Sequence, residues 1–194
     1  MAPVTSLRVR SSVALAAAAA ASALSLGACS STVASSEAQP PTGCPTAAPE
    51  PTGSPEWTLA GETGSVEVTG STDTSAPLVE VSAPFSVAET QVQTLQAGDG
   101  PVVADTATVS VCYMGVNGRD GSVFDSSYQY GEPVEFPLDG VIAGFQKAIA
   151  GQNVGSTVAV AMTPADGYPS GQPAAGIVPG DSLIFAIKIL DVTG

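Results

Sequence analysis

The segment TATVSVCYMG, residues 106–115, alternates apolar and polar side chains from Ala107 to Tyr113. A period of two fits only an extended chain. It puts Ala107, Val109, Val111 and Tyr113 on one face of a strand and Thr108, Ser110 and Cys112 on the other, with Cys112 directed away from Tyr113. Such a strand needs partners and a cover for its apolar face. QVQTLQ, before the turn AGDG, supplies one candidate partner, and VEFPL, TVAVAMT and SLIFAIKILDV supply three more. In VIAGFQKAIAG the residues Val141, Ile142, Phe145, Ala148 and Ile149 recur at helical spacing, and Gly151 can cap the end. One short helix against a mostly antiparallel sheet predicts the α+β class.

Residues 1–28 have the layout of a secretory signal: Arg8 and Arg10, then the apolar run VALAAAAAASAL, then LGA before Cys29. The run is too short and too Ala-rich for a comfortable membrane span. Leu26, Gly27, Ala28 and Cys29 resemble a bacterial lipobox, in which the peptidase cuts before a cysteine whose thiol carries diacylglycerol. The alternative is an ordinary secretory signal with an incidental cysteine. Lipidation of Cys29 anchors a domain to the extracytoplasmic face of the cell membrane. Residues 29–56 then read as a Pro/Ser/Thr-rich tether, because Pro40, Pro41, Pro45, Pro49, Pro51 and Pro55 block helix and central strand alike. As a flexible coil it reaches about 30 Å, and as polyproline roughly 80 Å.

Residues 57–87 carry short alternating patches around Val66 and Val68, Val79 and Val81, and Phe85 and Val87, and read as a β-rich extension. Trp57, the only tryptophan, reads as a packing anchor. Residues 88–194 hold the main domain, with its motifs concentrated in 105–192. Cys44 lies in the tether and Cys112 in a strand. Neither has an obvious partner, and a bridge between them would have to pin the tether to the domain.

Once residues 1–28 are removed, Arg119, Lys147 and Lys188 are the only cations against 18 acids, a formal charge of −15. That sign repels phosphate backbones and excludes nucleic acid as a natural partner. The chain contains no histidine, so Ser–His and Cys–His nucleophile pairs are excluded. Neither lysine follows a serine at the spacing of a Ser-x-x-Lys site. There is no CxxC, so neither a zinc nor a dithiol site is supported. No phosphate-binding glycine loop occurs, and the acids of NGRDGSVFD are misplaced for an EF-hand. A glycosidase carboxylate pair is not excluded by counting, though so small a domain implies no large sugar cleft. What remains is a site of aromatic walls around one acid, Asp125, in VFDSSYQYGEP.

Five blocks, TVSVCYMG, GSVFDSS, GVIAGFQKAIAG, NVGSTVAVAMTPADGYP and GIVPGDSLIFAIKIL, resemble in order the successive motifs of FKBP-type peptidyl-prolyl cis-trans isomerases. TQVQTLQAGDG is similar to that family's opening strand and turn. With the lipobox upstream, the GVNGRDG variant resembles tethered lipoprotein members from actinobacteria. The resemblance implies a five- or six-stranded antiparallel sheet curled around a short helix, with an apolar pocket that receives a proline ring.

Carried over motif by motif, the resemblance implies Tyr113, Phe124, Asp125 and Tyr168 as catalytic residues. Phe136, Val141, Ile142, Phe145, Ile177, Val178 and Phe185 would bind substrate, with Pro179 in the flanking loop. Asp125 would stand at the rim, while the Tyr168 hydroxyl and the Ile142 backbone N–H would face a substrate carbonyl. Three positions depart from the family pattern. Phe145 replaces the usual tryptophan floor, Pro169 follows Tyr168 in place of glycine, and Cys112 replaces a common histidine. The activity implied is isomerisation of Xaa-Pro bonds in exported polypeptides, without cofactor or metal, by a monomer that tacrolimus (FK506) or rapamycin would inhibit. The rival reading is a weakly active binding module, a holdase or docking site at the cell surface.

Overall fold

The computed structural model describes residues 43–49 and 54–193. The signal segment, Cys29 and most of the tether lie outside the described residues. Strands Trp57–Ala60 (β1), Thr63–Thr69 (β2) and Leu78–Ser86 (β3) form an antiparallel sheet in that order. Gln91–Gln96 (β4), Thr108–Asn117 (β5), Val123–Ser126 (β6), Val134–Pro137 (β7), Thr157–Met162 (β8) and Leu183–Thr193 (β9) form a second sheet, and Ala143–Ile149 is a helix, α1. Among the described residues the fold is therefore a β-rich antiparallel arrangement with one short α-helix, as the sequence predicts. VFDS is the strand beyond the five read from the alternation; it is too short to show a period of its own.

The second sheet runs β4-β8-β9-β5-β6, and β7 also pairs with β5. The outer edge of β5 is thus shared. Residues 108–111 face β7 and residues 114–116 face β6, which leaves Cys112 and Tyr113 between the two ladders. A side chain fills the gap, because the Tyr113 N–H donates to Ser127 Oγ at 2.9 Å. This keeps a buried backbone donor satisfied where the strand has no partner.

The sheet is covered on both faces. Val109, Val111, Val158, Val160, Met162, Phe185, Ile187 and Ile189 pack toward α1 through Phe145, Ala148 and Ile149. On the opposite face Val116, Ala159, Ala161, Ile184 and Ala186 meet Val66, Val68 and Phe85 of the first sheet, with Trp57 packed at the margin. The near-continuous apolar runs of β8 and β9 follow from this double burial. The alanines of TVAVAM are the side that lets the first sheet approach. Helix α1 sits equally close, since a Cβ on Gly144 would come within 2.7 Å of the Met162 sulfur. It ends where expected, with Gly151 at φ +77° just past the last turn.

The tether reading fails over residues 43–49. Cys44 and Cys112 form a disulfide across a sequence separation of 68 residues. The Cys44 N–H donates to the Gly131 carbonyl at 3.1 Å, and the Ala47 carbonyl accepts from Ala76 N–H at 2.9 Å. Cys44, Ala76, Cys112 and Tyr128 make a small core of their own on the side of β5 away from Tyr113. Proline forbids helix, but it does not forbid an extended segment from packing once a covalent link holds it down.

Candidate active site

A cavity of about 400 Å³ opens between α1 and the concave face of the second sheet. That is large enough for a proline-sized ring with its flanking backbone. The alternation of β5 sends Tyr113 to this face. Phe185 arrives from β9, and Phe124 with Asp125 from β6. Phe136 and Val134 come from β7, Val141 and Ile142 from the entry to α1, Phe145 from its first turn, and Tyr168 from the loop after β8.

Phe145 is the floor, only 5% exposed. Its ring packs edge to face on Tyr113 at 5.7 Å, Phe136 at 5.3 Å and Phe185 at 5.2 Å between centroids. Phe124 in turn stands edge-on to Phe185 at 5.6 Å. Such mutually perpendicular rings fix one another's orientation and present a rigid apolar wall. A phenylalanine at this position therefore keeps an aromatic floor held from three sides.

Polar groups sit at the margin. The Tyr113 hydroxyl donates to Asp125 Oδ2 at 2.5 Å. Burial first, and then the bond to Asp125 and its charge, push the Tyr113 phenol well above the ordinary tyrosine value. Among the described residues no protein acceptor takes the Tyr168 hydroxyl or the Ile142 backbone N–H. The Ile142 carbonyl, by contrast, accepts from Phe145 and Gln146. Two donors thus remain open beside an aromatic floor, and one carboxylate is already engaged by a tyrosine.

Two residues expected at the site stand elsewhere. Ile177 is 1% exposed and belongs to the core under the loop. Val178 is 47% exposed and does not line the cavity. The backbone bridge between Gln172 and Ile177 folds the loop back on itself, turning Ile177 inward and leaving Val178 in solvent. Sequence reasoning also missed Val134, Gly140 and Gly115. Val134 and Gly140 line the cavity. Gly115 lies opposite both Asp125 and Phe185 in the ladders. A Cβ there would come within 2.6 Å of Phe124 and 2.8 Å of Phe185. A glycine inside an otherwise regular strand is the signal that could have found it. No cluster of potential metal ligands occurs among the described residues.

Residues 100–190 match the sequence profile of the FKBP-type peptidyl-prolyl cis-trans isomerases. The chain is 33% identical over 108 residues to an FK506-binding protein of Streptomyces anulatus, covering 54% of this chain and 87% of that one. The chain belongs to the FKBP-type peptidyl-prolyl cis-trans isomerase family. It is also 39% identical over 101 residues to the FKBP-type isomerase FkpA of Escherichia coli, covering 52% of this chain but only 36% of that longer relative. The N-terminal domain of FKBP42 from Arabidopsis thaliana shares the fold at a TM-score of 0.51 and 16% identity, over 55% of this chain and 88% of that one. Residues 43–99, with Cys44 and the first sheet, lie outside the matched span of 100–190, while Cys112, the other half of the disulfide, lies within it.

Proposed function

We propose that this chain accelerates cis-trans isomerisation of Xaa-Pro bonds in exported polypeptides, from a position anchored by lipid on Cys29 at the extracytoplasmic face of the membrane. The observation that carries the chemistry is the aromatic floor at Phe145 with two open donors, Tyr168 Oη and Ile142 N–H, at its edge.

Rotation about an amide is opposed by resonance, which places charge on oxygen and nitrogen and gives a barrier of roughly 18 to 20 kcal/mol. A prolyl amide set among Phe124, Phe136, Phe145 and Phe185 loses the water that stabilises this charge-separated planar form. The twisted form loses less. Each ~1.4 kcal/mol of such preference is a factor of ten in rate. Tyr168 and the Ile142 N–H hold the substrate carbonyls so that the twist occurs inside the cavity. Asp125 transfers no proton. It fixes the Tyr113 ring as part of the wall and leaves a carboxylate oxygen for polar groups of the bound chain. No bond breaks, so neither nucleophile nor cofactor is required.

The location is supported by cysteine arithmetic. The chain has three cysteines, and Cys44 and Cys112 are bonded to each other, so Cys29 is the one left for acylation. A structural disulfide also suits an oxidising, extracytoplasmic compartment. The name of the Streptomyces relative says that it binds FK506, and we expect the same of this cavity.

The test is a protease-coupled prolyl-isomer assay on the purified protein, with and without tacrolimus. Acceleration that stoichiometric tacrolimus abolishes supports the reading. Tacrolimus binding without acceleration replaces it with the binding module. For the anchor, labelled palmitate should enter the wild-type protein in cells and not a Cys29→Ser variant; equal labelling of both rejects Cys29 as the acceptor.

A further inference from the structure

The turn between β5 and β6 has no part in the cavity wall, yet it carries Arg119, the one arginine among the described residues. Its guanidinium is divided among three acceptors. Nη1 pairs with Asp120 at 2.9 Å, Nε reaches Asp181 at 3.2 Å, and Nη2 donates to the Gly176 carbonyl at 3.0 Å. Asp181 is the charged side chain set deepest in this region, 6% exposed. Besides Arg119 it accepts from Asn117 Nδ2 at 2.8 Å and from the Val178 N–H at 3.0 Å. A buried carboxylate costs much free energy unless its lone pairs are filled, and here they are filled by two side chains of one turn and one backbone group of the facing loop.

We infer that Arg119 and Asp181 are positioning residues that hold the loop carrying Tyr168 against the cavity; this rests on the isomerase reading given above. The path is continuous. Arg119 and Asp181 grip the loop at Gly176 and Val178, Ile177 between them is paired in both directions with Gln172, and the Gly171 N–H donates to the Tyr168 carbonyl at 2.9 Å. The grip has a firm base because the turn is bound to the first sheet and the residue after Asp181 is bound to the chain just past that sheet. Phe85 N–H donates to the Gly118 carbonyl at 2.7 Å, and Val87 N–H donates to Ser182 Oγ at 3.3 Å. A Cβ on Gly118 would strike the Phe85 and Ser182 carbonyls. Residues 57–87 therefore act as a buttress, and the turn transmits their rigidity to the substrate loop.

Arg119 is partly exposed, so Arg119→Met should fold. The same protein is followed by two readouts, kcat and KM for a prolyl peptide and amide exchange residue by residue. The inference expects a five- to twenty-fold fall in kcat/KM, carried mainly by KM. It also expects faster exchange at Val178 and the Gln172–Ile177 bridge while the β8 and β9 amides stay protected. Arg119→Lys should not restore either, because an ammonium cannot reach Asp181 and the Gly176 carbonyl with separate fixed donors. Unchanged exchange in the loop of Arg119→Met overturns the inference, as does exchange that rises equally throughout the sheet. If wild type proves inactive the isomerase reading fails, and the exchange pattern alone decides whether the loop is held as described.

Discussion

The Tyr113 hydroxyl and the Asp125 carboxylate meet across the β5–β6 ladder at 2.5 Å, joining a cavity wall to the acid at its rim. A carboxylate that already has a tyrosine donor serves as a fixed acceptor for a ligand and need not exchange protons with it. Replacing Asp125 with Val should therefore weaken tacrolimus binding about tenfold or more, the worth of one hydrogen bond to a charged group. Peptide turnover should fall only about two- to threefold, since desolvation by the aromatic walls persists. Isothermal titration and the isomer assay on the same preparation check this, and equal losses would contradict the rim-acceptor role.

Gly115 lets Phe124 and Phe185 close over β5. Gly115→Ala forces both rings to shift, an overpacking cost of about 1 to 3 kcal/mol. The cavity should lose its shape before the fold is lost. Denaturant unfolding should show that modest cost, with kcat/KM reduced more than tenfold; turnover near wild type would show that ring placement is not limiting.

The Cys44–Cys112 bridge closes a long loop and holds down a segment that also bonds to Gly131 and Ala76. Replacing both cysteines, Cys44→Ala with Cys112→Ala, should cost about 2 to 4 kcal/mol and lower the melting temperature by roughly 5 to 15 °C. In native protein both cysteines are buried, so a reductant should open the bridge only slowly before unfolding, and an alkylating reagent should label neither sulfur until it has been reduced. A double variant with an unchanged melting temperature would reduce the bridge to a bystander.

Tyr128 gives the expected pH dependence. Burial pushes its phenol from 10.0 up to about 12, although its bond to Ser71 Oγ works the other way. Below pH 10 both folded and unfolded forms are protonated and the full stability is present. Between 10 and 12 the unfolded chain ionises first, so stability falls by about 1.4 kcal/mol per pH unit for this residue. Denaturant unfolding at pH 9, 10 and 11 should show the decline, and Tyr128→Phe should make it shallower, leaving the part that belongs to Tyr113. Tyr113 shifts in the same direction.

Much of this arrangement was legible in the chain itself. The alternation of 107–113 sorted Tyr113 from Cys112 correctly, and the spacing of Phe145, Ala148 and Ile149 placed them on one face of a helix, while the floor role of Phe145 came from the family resemblance. Those signals are local and repeat with the period of the backbone. The misses are nonlocal or conformational. Cys44 and Cys112 are far apart in sequence, and the small core that joins them also needs Ala76 and Tyr128. Ile177 turned inward because a six-residue loop closed on Gln172, which hydrophobicity alone does not encode. Arg119 and Asp181 are 62 residues apart, and only the fold brings turn and loop together.

The central claim is that an apolar cavity strips water from a prolyl amide and so eases its rotation, without proton transfer. The most direct measurement is kcat/KM for a prolyl peptide in H2O and in D2O, each with a tacrolimus-inhibited control. The account predicts inhibitable acceleration with a solvent isotope effect of about one, since no acid or base acts in the rotation. No inhibitable acceleration, or an isotope effect of roughly two or more from a proton in flight, would contradict it.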